Sequence, residues 1–333
     1  MDLCMIGVRG HCGYVFDSID EAGDVRVVGY CGGDADCADD LSPLEEMIRP
    51  QSLEAKRFAD WREMLDACKP DVLCVAGPLE LNATICIEAC KRGIHIFCEK
   101  PAAITLADLD ALQAAHAANP VHLAMMMGLR YDPGFCTAWQ AVRDGAVGTV
   151  RLINTRKSYK LGERAEFYRQ RETYGGTIPW VGAHAIDWIH WLTGAPFESV
   201  FATHSRFENR GHGDLEVSAL CHFTLAGEIS ASASIDYYRP AGAPSHGDDW
   251  FRVVGSTGVI EAGGERVTLT DAEGQRELTP SCERKIFSDF VAHVRGERTA
   301  WITSDDTFAV TRACLLARQS ADEGQMIRFR EQE

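Results

Sequence analysis

Glu99, Lys100 and Pro101 in "HIFCEKPAAIT" close an apolar run, Ile94–Cys98, that reads as a buried strand. A lysine at the carboxyl end of a parallel strand stands where ligands bind in open α/β sheets. Burial beside a cationic ligand lowers an ammonium's pKa and suits it to a proton relay. Pro101 restrains the chain on its far side. The plainer alternative is a surface lysine paired with Glu99. A second cluster lies in "YGGTIPWVGAHAIDWIHWLTG", Tyr174 to Gly194. Read as a helix from about Trp180 and stopped by Gly194, it places Trp180, His184, Asp187 and Trp191 on one face. An imidazole and a carboxylate one turn apart among tryptophans form either a proton-transfer pair in a dry cleft or a core histidine tethered by its neighbour.

A third motif precedes both. "CMIGVRGHCGYVF" sets Gly7, Gly10 and Gly13 after the first strand and before an expected helix. Glycines there let the backbone turn tightly and approach a pyrophosphate held by helix N-terminal amides. The spacing is GxxGxxG rather than GxGxxG, with Arg9 as the extra residue. A tight turn without a ligand has the same spacing, but its place at the first strand–helix junction favours a dinucleotide. The acid expected on the ribose is Asp34 or Asp36, slightly beyond the ideal position, and a solvated acidic loop explains them about as well. No Lys or Arg occurs between Arg26 and Arg49 to hold a 2′-phosphate, so NAD is favoured over NADP.

The elements that must position these groups follow from the apolar pattern. Leu3–Ile6, Val25–Tyr30, Val72–Ala76, Ile94–Cys98 and a segment near His122–Met127 read as strands. They alternate with helical stretches such as Leu81–Arg92, which ends at Gly93. Short apolar strands alternating with helices imply a doubly wound parallel sheet covered on both faces. Pro133 and Gly134 break the pattern, and a helix follows in "CTAWQAVRDGAVG". Val150–Arg156, Ser199–Ser205, Leu215–Leu225, Glu228–Tyr238, Trp250–Val254 and Val259–Glu261 then read as a mainly antiparallel sheet, with the helix near 180–193 inserted. Asp305–Ser320 is helical, with Thr303 or Ser304 as N-cap. The expected division is a dinucleotide-binding domain, 1–122, onto which the C-terminal helix packs back, and a substrate-binding and oligomerisation domain, 123–333.

Composition narrows the class. The 333 residues, 46% hydrophobic, suit roughly two domains with their own cores. A net charge of −16 argues against nucleic acid and anionic membranes as partners. No apolar stretch approaches the roughly 20 residues of a spanning helix. A strand starts almost at once after Met1, with no room for a signal peptide, so a soluble cytoplasmic protein is expected. The 13 cysteines are expected as reduced thiols; Cys4, Cys74 and Cys98 lie inside apolar strands. Without paired CxxC units, and with scattered histidines, no metal site is expected.

Together the glycine turn, "DVLCVAGP", "GIHIFCEKP", "GLRYDP", "GAVGTV", "GGTIPWVGAHAIDWIHWLTG" and "RQSADEG" resemble the Gfo/Idh/MocA oxidoreductase family over nearly the whole chain. The resemblance implies an N-terminal Rossmann domain and a C-terminal α+β domain whose large open sheet makes homodimers or homotetramers. It places NAD against Gly7, Val8, Arg9, Gly10, His11, Cys12, Gly13, Asp34, Gly77, Pro78, Asn82, Glu99, Lys100 and Arg130. It gives Lys100, His184 and Asp187 catalytic positions: His184 takes the proton from a sugar or polyol carbinol as hydride leaves for NAD, and Lys100 stabilises the alkoxide. Asp187 contacts substrate or orients the helix. Tyr159, Trp180 and His246 are expected on a carbohydrate-like substrate. Arg156, Tyr174 and Tyr237 are further polar residues that could line the cleft. The chain departs from the family at Trp180, where an acid is usual, at Asn82, where histidine is common, at Gly128, where asparagine is found, and at Arg9. An indole cannot accept the hydrogen bond a carboxylate would, though it can stack on a sugar's apolar face. Two alternatives stand beside the dehydrogenase: a redox-neutral lyase or glycosidase of the same family, and a non-catalytic sensor of a dinucleotide or sugar.

Overall fold

The short apolar runs of the first third of the chain are the strands of one sheet: β1 (Asp2–Ile6), β2 (Arg26–Cys31), β3 (Lys56–Arg57), β4 (Val72–Val75), β5 (His95–Cys98) and β6 (Leu123–Met125). The computed structural model describes residues 1–52 and 54–329. The order is β3-β2-β1-β4-β5-β6, and every neighbouring pair is parallel. This is the doubly wound order, with its ligand crevice outside the carboxyl ends of the strands where the order reverses. All of β4 and the last three residues of β5 are buried, as strands covered on both faces must be. Cys4, Cys74 and Cys98 are 0% exposed and serve as small apolar side chains. Helices α1 (Ser42–Ile48), α2 (Trp61–Cys68), α3 (Asn82–Arg92) and α4 (Leu106–Ala118) connect the strands. α3 ends as expected, at Gly93 in the left-handed conformation.

One expectation fails. The segment after the glycine turn is a short 3-10 turn, Cys12–Val15, rather than a helix. Gly13, Asp17, Ser18, Asp20 and Gly23 are poor helix formers. Turn bonds such as Tyr14 N–H to His11 O at 2.9 Å and Ala22 N–H to Ser18 O at 3.0 Å replace a helical ladder.

Pro133 and Gly134 do not break the chain as the sequence suggests; they begin α5 (Pro133–Arg143). Proline is tolerated in a first turn, where its missing N–H has no partner in any case. The Asp132 carboxylate caps that turn, accepting the Gly134 and Phe135 N–H groups at 2.9 and 3.2 Å. After β7 (Val150–Ser158) come α6 (Arg171–Tyr174), α7 (Thr177–Trp180) and α8 (Gly182–Thr193), which Gly194 stops in the left-handed conformation. The remaining strands are β8 (Phe197–Ser205), β9 (Ser218–Leu225), β10 (Ile229–Asp236), β11 (Trp250–Gly255), β12 (Gly258–Gly263), β13 (Arg266–Asp271), β14 (Gly274–Leu278) and β15 (Ile327–Arg328). They form a nine-stranded sheet of order β14-β13-β12-β11-β7-β10-β9-β8-β15. Only the β7–β10 pair is parallel. The β13–β14 hairpin and β15 lie beyond the strands read from the sequence. α8 packs on β7 and β10.

α9 (Ile286–Val294) and α10 (Ser304–Glu323) complete the chain. Thr303 and Asp306 form a reciprocal cap, with Asp306 N–H to Thr303 Oγ1 at 3.2 Å and Thr303 N–H to Asp306 Oδ2 at 2.9 Å. The chain divides into two compact units: Met1–Gly128 with Arg284–Ala309, and Leu129–Glu283 with the chain from Val310 onward. The first unit therefore runs past the expected join at 122 and takes in α9 and the start of α10. The cause is visible at the edge strand β6. Ser304 Oγ and Thr307 Oγ1 accept the Leu123 and Met125 N–H groups at 3.0 and 3.1 Å, supplying partners that a further strand would otherwise provide. Among the described residues no helix is long and apolar enough to cross a membrane.

Candidate active site

In the first unit, the side chains of the Glu99–Lys100–Pro101 turn are buried, with Glu99 0% and Lys100 2% exposed. The sequence alternative of a surface lysine is thereby removed. The Lys100–Pro101 peptide is cis. Glu99 carries the turn: its carboxylate accepts the Lys100 N–H at 3.0 Å and the His11 N–H at 2.5 Å, and lies 2.9 Å from His11 Nδ1. The Lys100 ammonium is 3.8 Å away. Burial pushes the Glu99 carboxyl up, but His11 and Lys100 more than offset it, so the group is held below its usual range. With the carboxylate ionised, His11 Nδ1 is the donor of that contact. Asn82 is also 0% exposed, and its Nδ2 donates to the Glu99 and Pro101 carbonyls at 3.1 and 3.0 Å. Asn82, expected on the cofactor, thus staples the main chain on both sides of Lys100.

The glycine motif serves this arrangement. Gly7 and Gly10 have φ of 77° and 80°. A Cβ at Gly7 would overlap the main chain of Ala76 and Gly77, and one at Gly10 would overlap the Glu99 carboxylate. Gly7 thus brings the loops after β1 and β4 into main-chain contact, and Gly10 makes room for a buried acid. Gly13 has neither constraint; its nearest neighbour would be Met47 Sδ at 3.9 Å. Because Cys12–Val15 is only a short turn and the His11 amide is given to Glu99, the expected helix N-terminal phosphate site is absent from these residues. The rim still fits a dinucleotide in other respects. The main chain of Val8–Gly10, Gly77 and Pro78 borders the crevice that the strand order creates, and Asp34, the acid expected on the ribose, lies in the loop after β2. Asp34 Oδ1 accepts Trp61 Nε1 at 2.8 Å and Arg62 Nη1 at 2.6 Å. Folding therefore brings Arg62 to a rim where the sequence shows no nearby cation, already paired with Asp34 and Asp60. Arg9 is likewise held by Asp39 at 2.8 Å and faces Glu80 at 3.6 Å.

In the second unit, His184 and Asp187 lie on α8 and are 3% and 2% exposed. The Asp187 carboxylate takes Arg130 Nη2 at 2.6 Å and Arg130 Nε at 3.0 Å. Arg130, expected on the cofactor, and Asp187, expected as catalytic, are therefore each other's principal partners, because a guanidinium 1% exposed needs a carboxylate. Trp180 is 6% exposed and donates Nε1–H to the Tyr168 hydroxyl at 3.0 Å. It meets the Phe167 and Tyr168 rings edge-on, so the position that usually carries an acid is part of an aromatic cluster. The approach to α8 is set by Glu216, 2% exposed, whose carboxylate accepts the Thr177 N–H at 3.0 Å and pairs with Arg171. Tyr174 is buried behind it and hydrogen-bonded to Thr177 Oγ1 at 2.9 Å.

Tyr159 and His246, singled out from the sequence, do come together, stacked at 5.1 Å. Beside them is a residue that sequence reasoning missed. Lys157 is 0% exposed, its ammonium 2.5 Å from Asp249 Oδ2, 4.7 Å from the Tyr159 ring centre and 5.8 Å from that of Trp188. Burial pulls its pKa down against the pull of Asp249. Its only sequence signal is the inward phase of β7, where Ile153, Thr155 and Lys157 alternate with more exposed neighbours. Arg156, one residue earlier, points the other way and binds Asp248 at 2.9 Å. Among the described residues no group of three or more His, Cys, Asp or Glu side chains is placed to hold a metal.

Comparison with known proteins bears on the family and the fold. Residues 2–127 match a family profile described as an oxidoreductase family with NAD-binding Rossmann fold, and residues 135–261 match the GFO/IDH/MocA C-terminal domain. A Thermotoga maritima protein of solved structure is 47% identical, covering 99% of this chain and 100% of its own, with a TM-score of 0.94. Myo-inositol 2-dehydrogenase of Thermotoga maritima is 28% identical over 240 residues, 70% of this chain and 69% of the relative. The Bacillus subtilis oxidoreductase YrbE is 27% identical over 214 residues, which span 61% of its length.

Proposed function

The chain belongs to the Gfo/Idh/MocA family of oxidoreductases, with an NAD-binding Rossmann fold, and on that premise we propose that it is an NAD-dependent dehydrogenase oxidising a carbinol of a sugar, inositol or sugar-derived alcohol. His184 takes the hydroxyl proton. Lys100 stabilises the negative charge that develops on the carbinol oxygen. Bound NAD supplies the hydride acceptor. Asp34 holds the ribose, and the loops around Gly7, Gly10 and Gly77 carry the phosphates. Asp187 acts through Arg130 to fix α8 rather than on substrate. NAD is preferred to NADP because Arg9 and Arg62 are already neutralised by Asp39, Asp34 and Asp60, leaving an acidic rim that repels a 2′-phosphate.

The observation that carries this reading is Lys100: a lysine 2% exposed at a strand's carboxyl end, its main chain stapled by Asn82. Burial of an ammonium is costly, and this arrangement fixes where the ammonium points. The similarity to an inositol dehydrogenase supports a polyol or sugar substrate. Homo-oligomers form through the open face of the nine-stranded sheet, where Leu152, Phe201 and Leu220 are 38%, 44% and 55% exposed.

The test is NADH formation across inositols and aldoses. His184→Ala and Lys100→Met each lower kcat by on the order of 10²–10⁴ while NADH still binds, read by its fluorescence. A wild-type protein that binds NAD yet reduces none of it across the panel overturns the reading. Glycoside cleavage without NADH build-up would instead identify a redox-neutral reaction.

A further inference from the structure

The second unit holds positive charge in a way that the composition of the chain opposes. There are 33 basic and 49 acidic residues, and several buried or half-buried cations of this unit are matched with carboxylates: Arg130 with Asp187, Lys157 with Asp249, Arg171 with Glu216 and Arg239 with Asp248. Two neighbours in the segment after β7 are not. Lys160 gives its ammonium to the Ala243 carbonyl at 2.5 Å, and Arg164 gives Nη2 to the Lys160 carbonyl at 2.7 Å. Among the described residues neither is paired with an acid. The Arg164 guanidinium lies 4.7 Å from the Tyr237 ring centre and 5.6 Å from that of Tyr168, and its buried Nε has no acceptor. Main-chain carbonyls satisfy a donor but neutralise no charge. A half-buried cation with an orphan donor is completed by an anionic acceptor.

The position within the unit connects this charge to the proposed chemistry. Tyr168, under Arg164, accepts the indole N–H of Trp180, one helical turn before His184. Lys157 faces Trp188, one turn after His184. The stacked pair Tyr159–His246 lies beside both cations: Lys160 N–H donates to the His246 carbonyl at 3.0 Å. Burial, then Arg164 and Lys160, hold the His246 imidazole below its ordinary pKa. Aromatic rings offer faces for a sugar's C–H surface, and a guanidinium fork takes two oxygens of one anion.

We propose that the substrate is an anionic sugar, bearing a carboxylate or a phosphate ester, and that Arg164 holds this group with Lys160 beside it. This rests on the dehydrogenase reading and narrows its substrate class. Arg164 is a specificity residue: it contributes to binding and leaves the proton transfer at His184 untouched.

The test uses the full chain with NADH bound and titrates, by calorimetry, hexoses, their uronates and their 6-phosphates. At least one charged class binds on the order of ten- to a hundred-fold more tightly than its neutral parents, and the uronate and phosphate arms identify which anion is meant. Arg164→Gln removes that preference without changing affinity for the neutral parents, and Arg164→Lys keeps part of it. Equal binding of charged and neutral members, no binding in either charged class, or equal binding of charged members by wild type and Arg164→Gln overturns the proposal. NADH formation is read separately. A charged ligand that binds through Arg164 without turnover leaves this inference standing and counts against the dehydrogenase, whereas turnover of neutral sugars alone does the reverse.

Discussion

At the carboxyl rim of the parallel sheet, side chains hold main chain: Glu99 takes the His11 and Lys100 amides, and Asn82 bridges the Glu99 and Pro101 carbonyls. Around α8, side chains hold side chains: Arg130 with Asp187, Lys157 with Asp249, Trp180 with Tyr168. The cations differ as well. Arg9 and Arg62 at the rim each meet two acids, while Lys160 and Arg164 in the second unit hydrogen-bond main-chain carbonyls, and among the described residues neither pairs with an acid. A rim built on main-chain bonds admits little change in residue type, because the backbone donors and acceptors are always present. A site built on side-chain pairs can exchange one pair for another, and at residue 180 the pair present is an indole donating to the Tyr168 hydroxyl.

The largest effect should come from breaking a side-chain pair. Asp187→Ala takes from the buried Arg130 guanidinium the carboxylate that meets its Nε and Nη2, and a loss of about 3–5 kcal/mol in urea unfolding is expected. The double variant Arg130→Met, Asp187→Leu should recover most of it. A loss in Asp187→Ala below about 1 kcal/mol would show that the pair does not hold α8.

The main-chain staple comes next. Asn82→Ala strips a donor from two buried carbonyls, so about 1–3 kcal/mol is expected, together with weaker NADH binding. Unchanged affinity would separate Asn82 from the placement of Lys100.

The glycines sharpen the same side of the comparison. Gly10→Ala forces a side chain into left-handed backbone, at about 1–2 kcal/mol, and displaces Glu99, so NADH affinity should fall. Gly13→Ala, with a conventional φ and open space, should be nearly silent. Equal effects would show that Gly10 is not needed to make room for Glu99.

The smallest effect concerns the amino ends of the same strands, where side chains pair with each other even in the first unit. His122 packs against His293 at 4.1 Å and His95 at 5.1 Å. Burial, with those rings, pushes His122 down to about 4 from an ordinary 6.5. Above pH 6.5 the ring is neutral both folded and unfolded, and nothing changes. As pH falls from 6.5 towards 4 the unfolded chain takes up the proton first, so stability declines across that window. Melting temperatures at pH 7.5, 6 and 5 should fall less steeply in His122→Phe; an identical slope would exclude this ring as the cause.

The first unit was the more legible from sequence. A fully buried parallel strand must be a short apolar run, so β1, β4 and β5 are visible as such, and Gly93 and Gly194 mark helix ends because the left-handed turn suits glycine. The 3-10 turn at Cys12–Val15 was not legible, because strand, glycine and apolar residues in that order describe a helix start equally well. Nor was Pro133 as a helix opener, since a proline that breaks one element and a proline that begins the next have the same neighbours.

Local chemistry determined the strand periods, the turn glycines and the presence of a lysine and a histidine in motifs of one family, because each depends on residues adjacent in the chain. Tertiary structure alone decided the partners: Gly10 with Glu99, 89 residues apart, Asn82 with the main chain beside Lys100, Arg62 at the rim with Asp34, Arg130 with Asp187, and Lys157 with Asp249. Such pairs form between buried polar groups wherever folding leaves them within reach, and nothing in the spacing of a linear chain records which groups those will be.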